Sequence, residues 1–394
     1  MTTIDRRLDP APPAGVVAMP DGRGVVLASG GLTATLHPQW LRDRTIEPGQ
    51  VDATNRQRLF TPRDLPADLA VVDCHLEGDH LVVSFTDGHS ARLAVESIAR
   101  LLGWEPDPEQ PPASEPWFEP PATVPTADWA GIGWSDRGGD AAALIDLLDD
   151  FYRHGYVVLR GTPVEEGTVA RVGERMGYVF GQNFGRVFDV RVEPQPTDLA
   201  YTAVELLAHT DLPYRREPPG IQLLHCLVNE ASGGESTMAD GLAAALTLAA
   251  EAPSLHRALV EIEVDYRYDM GTDTVVNTGH VLEYDRHGRF RGIRLNTKLD
   301  TPIPRPGVDL DAWYEGRRWL TDWLNDPEHR ALFSLEPGDV LFMDNHRVLH
   351  GRAAFDQAAG RRHLQGCYIE HDGPDTLYRL ARRRTSSDPD RIGA

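Results

Sequence analysis

Cysteine is scarce in this chain, and its few thiols are far apart in sequence. The three cysteines are Cys74, Cys226 and Cys367, and none of them forms a Cys-x-x-Cys pair. This spacing indicates neither a disulfide framework nor a cysteine-based zinc site. An odd, small number of cysteines is typical of proteins from a reducing compartment, so we expect a cytoplasmic protein.

Long apolar runs are missing as well. No run approaches the roughly 18 consecutive apolar residues that a membrane-spanning helix needs. The first ten residues, MTTIDRRLDP, also lack the apolar segment of a signal peptide. We therefore expect neither a membrane span nor a leader sequence.

The chain has no excess of positive charge, since its formal net charge is −21. A surface that acidic repels phosphate backbones and anionic lipid headgroups. Nucleic acids and membranes are therefore poor partners.

The 394 residues suggest two or three domains of an ordinary globular protein. Residues 1–104 contain short β-branched runs (GVVLAS, LTATLHPQWL, HLVVSF and HSARLAV) that are broken by turn signals such as EGD and TDG. This pattern predicts a small β-rich domain. Residues 105–125 are too rich in proline for a helix or a central strand, so they are interpreted as a linker.

Residues 126–394 are long enough for one large core. The segment DAAALIDLLDDFYRHG predicts a helix, because Leu144, Leu147, Leu148 and Phe151 recur at helical spacing. The runs YVVLRG, IQLLHCLV, VLFMD and LQGCYIE predict short apolar strands. Strands with few helices between them favour a β-barrel or sandwich over a doubly wound α/β sheet.

The segment His209-Thr210-Asp211 is the most informative motif. Residues two apart on a strand face the same way, so one imidazole and one carboxylate can meet at a single point. His346 and His350 are the candidates for a third ligand. Two histidines and one carboxylate leave half of an octahedron open, which is the arrangement of Fe(II) oxygenases. On its own, a His-x-Asp motif also fits a hydrogen-bonded pair at the end of a strand.

Two arginines follow the second histidine motif. Arg361 and Arg362 come 11 and 12 residues after His350. A guanidinium group binds a carboxylate through two parallel hydrogen bonds, so either arginine can hold the distal carboxylate of 2-oxoglutarate.

Four segments together resemble one family. They are similar to the γ-butyrobetaine dioxygenase and trimethyllysine dioxygenase branch of the Fe(II)/2-oxoglutarate oxygenases. The four segments are HTDLPYRREPPGIQLLHCL, GGESTMADG, DNHRVLHGR and RRHLQGCYIE. HPQWLRD resembles the accessory domain of the same family. The resemblance implies a mainly β fold with helices. The implied fold has two parts, a double-stranded β-helix (jelly-roll) catalytic domain over residues 126–394 and a small β-rich N-terminal domain.

The resemblance also implies the iron ligands and the co-substrate site. His209, Asp211 and His350 match the metal ligands, and Arg362 matches the 2-oxoglutarate arginine. Ser236 is a further candidate for 2-oxoglutarate binding. His346 and His225 are then structural, and Arg361 is only a neighbour of the binding arginine. The implied cofactors are Fe(II), 2-oxoglutarate and O2, with ascorbate as a reductant in assays.

In the family, an aromatic cage holds a quaternary ammonium group by cation–π attraction. The matching positions here are all aromatic, although aromatic residues at such positions are also common in a core: Phe184, Phe188, Tyr201 and Tyr368. The far end of the substrate is expected near Asn296 and Lys298, with a surface lysine as the alternative for Lys298.

Two departures from the family pattern affect the expected function. Asp198 stands where the butyrobetaine enzymes have Asn, and it would repel a substrate carboxylate. The trimethyllysine branch has Asp in the same setting. The family often has a zinc site in its accessory domain, and we expect it to be lost here, because residues 44–60 contain no cysteine and only His89 remains of its ligands. A single histidine cannot hold structural zinc.

The sequence therefore predicts a dioxygenase that hydroxylates an unactivated C–H bond of a small quaternary ammonium compound, γ-butyrobetaine-like by default. Trimethyllysine-like, aminophosphonate and amino-acid substrates are the alternatives within the class. A non-catalytic binding protein and a zinc hydrolase are alternatives outside it. The family also suggests a homodimer.

Overall fold

A computed structural model describes residues 15–134, 139–191, 204–269, 271, 273–355 and 360–385. The positions Asp198 and Tyr201 lie outside these residues. The chain divides into two compact units, and the division lies between Pro108 and Glu109.

The first unit is built from two three-stranded antiparallel sheets, β1-β2-β3 and β4-β5-β6. Alternate residues of β5 are buried, as expected for a strand with one face on a core, and Leu81 and Val83 lie in that core with Val25 and Leu27. The elements are β1 (Gly15–Ala18), β2 (Val25–Ser29), β3 (Leu32–Leu36), α1 (Pro38–Arg42), β4 (Val71–Glu77), β5 (His80–Phe85), β6 (Ser90–Ala94) and α2 (Val95–Leu101).

Two of the predicted strand runs in this unit are strands only in part. Within LTATLHPQWL, the strand β3 ends at Leu36, and the short helix α1 begins at Pro38. His37 caps this helix by accepting a hydrogen bond from the backbone N–H of Gln39, and proline suits the first helical position. Similarly, the strand within HSARLAV ends at Ala94, and helix α2 begins at Val95. A β-branched composition alone does not reveal these capping signals.

The second unit contains the longer elements, in this order: β7 (Thr126–Asp128), α3 (Trp129–Ile132), α4 (Ala141–His154), β8 (Tyr156–Arg160), α5 (Thr168–Met176), β9 (Phe188–Arg191), β10 (Leu206–His209), β11 (Ile221–Asn229), β12 (Ser236–Asp240), α6 (Gly241–Glu251), α7 (Pro253–Glu261), β13 (Val264–Asp269), β14 (Thr274–Gly279), β15 (Leu282–Tyr284), β16 (Phe290–Ile293), β17 (Asp300–Pro302), α8 (Leu310–Asn325), β18 (Arg330–Phe333), β19 (Val340–Asp344), β20 (Val348–Arg352), β21 (Arg362–Ile369) and α9 (Asp372–Thr385). The unit is mainly β with helices, as the sequence predicts.

Two sheets form the centre of the second unit. The smaller has the order β10-β20-β12-β18, and the larger has the order β7-β8-β19-β11-β21-β9. Their pairings are antiparallel except that of β7 with β8. The non-sequential orders bring the motif strands β10 and β20 side by side, although about 140 residues separate them in sequence.

The predicted amphipathic helix is α4. Its apolar residues Leu144, Leu147, Leu148 and Phe151 are all buried, which confirms the helical spacing. Asp140 caps the start of the helix by accepting a hydrogen bond from the N–H of Ala143. Among the residues that the structure describes, no helix is both long and apolar enough to cross a membrane.

Within the proline-rich segment, the buried side chain of Trp117 belongs to the core of the second unit. Its backbone N–H donates to Asp240 Oδ2 at 3.0 Å, and its indole N–H donates to the carbonyl of His154 at 2.9 Å. Asp240 also accepts hydrogen bonds from the guanidinium of Arg347 at 3.2 and 2.8 Å. The buried Asp240–Arg347 pair therefore connects three separate parts of the chain, those that contain Trp117, Asp240 and Arg347.

Arg347→Met is expected to lower the free energy of unfolding by about 3–5 kcal/mol, because it leaves Asp240 buried without its counter-charge. Chemical denaturation of the wild type and the variant measures the difference. Arg267→Met is the matched control, since Arg267 forms an exposed pair with Asp269 and its loss is expected to leave the free energy of unfolding nearly unchanged. Equal effects of the two substitutions would contradict the structural role of Arg347.

Candidate active site

A cavity of about 320 Å³ lies between the two central sheets. Side chains alternate along a strand, so each sheet sends every second residue into the space. The small sheet contributes His350 and Arg352 from β20 and Ser236 from β12, and the large sheet contributes Gln222 and Tyr368 among others. The strand pairing thus gathers residues from distant motifs on two facing walls.

His209, Asp211 and His350 meet on one wall of this cavity. His209 and His350 are register partners on β10 and β20, and their ring centroids lie 4.4 Å apart. Asp211 Oδ1 lies 3.5 Å from His209 Nε2 and 3.8 Å from His350 Nε2. The predicted constellation is therefore brought together around one point.

The carboxylate of Asp211 is held in a fixed orientation. Its Oδ2 accepts hydrogen bonds from the hydroxyl of Tyr368 at 2.7 Å and from the side-chain amide of Gln222. Its backbone N–H donates to Asn345 Oδ1 at 2.7 Å. Because both side-chain donors bind Oδ2, the other carboxylate oxygen, Oδ1, faces His209 and His350.

The protonation states suit a metal site. Burial opposes ionisation of Asp211, but the imidazoles of His350 and His209 outweigh it and hold the pKa of Asp211 well below its usual range. Burial, helped by His209, lowers the pKa of His350 to about 4. The Nδ1–H of His209 donates to the carbonyl of Leu207 at 2.9 Å, so Nε2 is the ring nitrogen that faces Asp211. Two imidazoles and one carboxylate are a donor set that fits Fe(II).

Two arginines lie deeper in the same cavity. The guanidinium groups of Arg352 and Arg362 lie 4.9 and 5.8 Å from the ring centroid of Phe355. Burial lowers the pKa of both, and the neighbouring charge of Arg362 helps to bring that of Arg352 to about 10. Arg362 Nε is buried without a hydrogen-bond partner among the described residues. Two adjacent, desolvated cations form a site that fits a carboxylate.

Glycine is required beside this pair of arginines. Gly234 has a φ of +73°, and a Cβ there would lie 3.2 Å from the side chain of Phe355 and 3.4 Å from that of Arg362. Ser236, two residues later, is the register partner of Arg352 and lines the cavity. Arg361 instead points away, because it is exposed and paired with Glu230 at 3.2 Å. Arg362 is thus the one of the two sequence candidates that reaches the cavity.

Aromatic rings cover the other part of the cavity. Phe184, Phe188 and Tyr368 all line it, and the rings of Phe188 and Tyr368 stack at 5.2 Å. Asn296 and Lys298 also line it. The remaining predicted substrate residues, Asp198 and Tyr201, lie outside the described residues.

The sequence reasoning missed several cavity residues, among them Arg352, Tyr214 and Tyr268. The ring of Tyr268 stacks on Tyr214 at 4.8 Å and meets Phe184 edge-on at 5.8 Å. The position of Arg352, two residues after His350 on the same strand, was a usable signal. No local signal points to Tyr268, because it comes from β13 in a separate sheet.

The other histidines near these motifs have structural surroundings. His225 is fully buried, and burial lowers its pKa to about 4, so it is neutral in the core. His346 Nε2 donates to the carbonyl of Pro218 at 3.0 Å. His346 also belongs to a second group with potential ligand atoms, here named the His371 cluster, which consists of Asp344, His346 and His371.

The His371 cluster contains an ion pair. His371 Nε2 lies 3.2 Å from Asp344 Oδ1. Burial alone would lower the pKa of His371, but Asp344, Asp375 and Glu370 outweigh it and raise that pKa above the usual value. The His371–Asp344 pair therefore accounts for the clustering without a further ligand.

Comparison with known proteins identifies the family. Residues 120–368 match the model of the family described as taurine catabolism dioxygenase TauD, TfdA. The chain belongs to this family. It is 32% identical to the γ-butyrobetaine dioxygenase of Pseudomonas sp. (strain AK-1), over 92% of this chain and 94% of that protein. It is 29% identical to the mitochondrial trimethyllysine dioxygenase of Mus musculus, over 84% of this chain and 79% of that protein.

Among solved structures, the chain resembles a taurine dioxygenase from Burkholderia xenovorans, with a TM-score of 0.46 and 18% identity over 65% of this chain and 93% of that chain. Family membership makes the chain an enzyme, an Fe(II)- and 2-oxoglutarate-dependent dioxygenase. The predicted resemblance and the predicted cofactors Fe(II), 2-oxoglutarate and O2 are thereby confirmed. The alternative of a non-catalytic binding protein is accordingly set aside.

Tyr368→Phe is expected to weaken Fe(II) binding by about 10- to 100-fold, because it removes the hydroxyl that orients Asp211 while keeping the ring. Anaerobic equilibrium titration with Fe(II) measures the dissociation constant. Tyr156→Phe is the matched control, since the buried hydroxyl of Tyr156 has no hydrogen-bond partner within the described part of the chain. An unchanged dissociation constant in Tyr368→Phe would contradict this role of its hydroxyl.

His371→Gln is expected to lower the midpoint of thermal unfolding by about 2–4 °C more at pH 6 than at pH 9. A histidine whose folded pKa is raised stabilises the protein fully below its unfolded pKa of about 6.5, and this stabilisation disappears as the pH rises through the folded pKa. Thermal denaturation of both proteins at the two pH values measures the difference. The exposed His287, replaced in the same way, serves as the control, and a loss independent of pH would disprove the ion pair.

Proposed function

We propose that this dioxygenase hydroxylates an unactivated C–H bond of a small quaternary ammonium compound, with γ-butyrobetaine as the default member of the class. The observation that carries the proposal is the group of aromatic rings in the cavity that also contains the candidate iron ligands. The relatives named γ-butyrobetaine dioxygenase and trimethyllysine dioxygenase support the same substrate class.

In this proposal, His209, Asp211 and His350 hold Fe(II). Arg362 binds the distal carboxylate of 2-oxoglutarate, with Arg352 as a second cation beside it, and Ser236 contributes its hydroxyl. Iron and 2-oxoglutarate, when bound, supply the O2-dependent chemistry that cleaves the C–H bond. The protein's own contribution is to position the substrate and to exclude water.

The aromatic rings provide the contact for the quaternary ammonium group. A trimethylammonium cation has no N–H to donate, so ring faces and dispersion are the attraction that remains, about 0.5–2 kcal/mol for each ring. Phe184, Phe188 and Tyr368 are the proposed members that line the cavity, and Tyr214 and Tyr268 extend the same aromatic wall. Tyr201 and Asp198 stay in the proposal on the strength of the sequence resemblance.

A trimethyllysine-like substrate is the second candidate. It is favoured by the trimethyllysine dioxygenase relatives and by the acidic residue Asp198, which suits an ammonium group better than a carboxylate. The aromatic wall serves either substrate, because both carry a trimethylammonium group. The two differ at the opposite end of the molecule.

The finer architecture belongs to the same proposal. We propose that the two central sheets form the double-stranded β-helix of a catalytic domain over residues 126–394. Residues 1–104 form an accessory domain without zinc, and residues 105–125 connect the two. We further propose a cytoplasmic enzyme that acts as a homodimer, on the resemblance and the cysteine content.

Succinate formation from 2-oxoglutarate, with Fe(II) and ascorbate, tests the function. The panel contains γ-butyrobetaine, trimethyllysine, a trimethylaminoalkyl phosphonate and unmethylated lysine. Turnover is expected to rise with at least one quaternary compound and not with lysine, because only a methylated ammonium matches an aromatic wall. Stimulation by lysine alone, or by none of the four, would refute the proposed substrate class.

Arg362→Ala and Arg361→Ala form a matched pair in the same assay. Arg362→Ala is expected to raise the KM for 2-oxoglutarate by about 10- to 100-fold, since it removes a charged hydrogen-bond donor from a buried site. Arg361→Ala is expected to leave that KM unchanged, because Arg361 is exposed. Equal KM values for the two variants would assign the carboxylate to another residue.

A further inference from the structure

A second cavity, with a volume of about 490 Å³, lies at the C-terminal ends of α6 and α8. It is here named the tryptophan cavity, because its lining includes Trp319 and Trp323 of α8 together with the ring of His329. It shares none of its described lining residues with the cavity that contains the candidate iron ligands. Small-molecule ligands occupy concave sites of about 300–1,000 Å³, so its size fits a ligand of its own.

The three rings of the tryptophan cavity are nearly parallel. The ring centroids of Trp323 and His329 lie 4.1 Å apart, with 9° between the ring planes. Those of Trp319 and Trp323 lie 6.4 Å apart, with 14° between the planes. His329 is held in place because its Nδ1–H donates to the carbonyl of Phe118 at 2.7 Å. Parallel ring faces favour a flat ligand, which can stack on them, over a tetrahedral one.

The tryptophan cavity is also acidic. It is lined by the carboxylates of Glu251, Asp322 and Asp326, and by neither lysine nor arginine among the described residues. Glu251 is the last residue of α6, and Asp322 lies in the last turn of α8. The negative end of a helix dipole favours a cation at such positions, yet neither last turn contains a basic side chain. The charge of the lining therefore favours a positively charged ligand.

A guanidinium group matches both properties of this lining. It is flat and delocalised, it stacks on aromatic faces, and its N–H groups donate to carboxylates in a fork. A quaternary ammonium group has no N–H to donate, so it cannot hydrogen-bond to the carboxylates. A primary ammonium group is compact and strongly hydrated, so it gains less from the ring faces.

We propose that the tryptophan cavity binds a small guanidinium compound. The flat cation stacks on the tryptophan rings, and its N–H groups donate to the lining carboxylates. The inference goes beyond the proposed function and is independent of it, because it uses no residue of the active-site cavity.

Fluorine NMR on the full chain, labelled with fluorotryptophan, measures the binding. The active-site cavity has no tryptophan among its described lining residues, so the signals of Trp319 and Trp323 report on the tryptophan cavity. Trp319→Phe and Trp323→Phe assign these two signals. Methylguanidinium is expected to shift both of them in a saturable way. Methylurea has nearly the same shape without the charge and should shift neither, and equal shifts by the two compounds would overturn the inference.

The double variant Glu251→Gln/Asp322→Asn tests the carboxylates. It is expected to raise the Kd of methylguanidinium by about 3- to 30-fold, as expected for the loss of two exposed ion pairs. Both residues are exposed, so the variant should fold like the wild type. Asp311→Asn/Glu315→Gln is the matched control, because it removes the same charge from exposed residues of α8 that do not line the cavity. An equal rise of the Kd in both double variants would overturn the inference.

Further titrations separate this ligand class from other occupants. Methylguanidinium should bind more tightly than tetramethylammonium, and the reverse order would overturn the match to a flat cation. Binding of N-acetylarginine methylamide without binding of methylguanidinium would assign the cavity to an arginine of a protein partner. Shifts of the Trp319 and Trp323 signals on raising the protein concentration alone would assign it to a second copy of this chain. Either assignment would overturn the inference of a small ligand.

Discussion

The orientation of one carboxylate, that of Asp211, is the constraint on which the candidate active site depends. Oδ2 accepts hydrogen bonds from Tyr368 and Gln222, and the backbone N–H is held by Asn345. These three residues come from β21, β11 and the turn between β19 and β20. The large sheet therefore sets the direction in which Asp211 presents Oδ1 to histidines on the small sheet, so the geometry of this triad depends on the packing of one sheet against the other.

Charge is distributed differently in the cavity and in the chain as a whole. The whole chain has a formal net charge of −21, whereas the cavity contains cations that are costly to bury without an anion. Arg352 and Arg362 lie side by side with lowered pKa values, which reflects desolvation and, for Arg352, the neighbouring charge of Arg362. In the proposed function, pairing of these two cations with the distal carboxylate of 2-oxoglutarate would offset this cost.

Sequence reasoning reached the parts of the site that follow from local spacing. His209 ends β10 and Asp211 lies in the bend two residues later, outside the strand that the sequence predicts for both, yet the short spacing still brings the two side chains together. The apolar residues of α4 recur every three or four positions, so the buried face of that helix follows from local order. It missed Tyr268, which reaches the cavity only through packing of a separate sheet. It also assigned Tyr368 to the aromatic cage without foreseeing that its hydroxyl holds Asp211. A hydrogen-bond partner 157 positions away leaves no trace in a single sequence.

The motif Asp344-Asn345-His346 shows how stability and chemistry share a few positions. The outer two residues belong to the His371 cluster, while Asn345 between them fastens the backbone of Asp211. Disruption of the His371 cluster would let Asn345 shift, and Asp211 would lose the hydrogen bond from its backbone N–H to Asn345 Oδ1. The His371–Asp344 ion pair therefore supports the turn that carries Asn345.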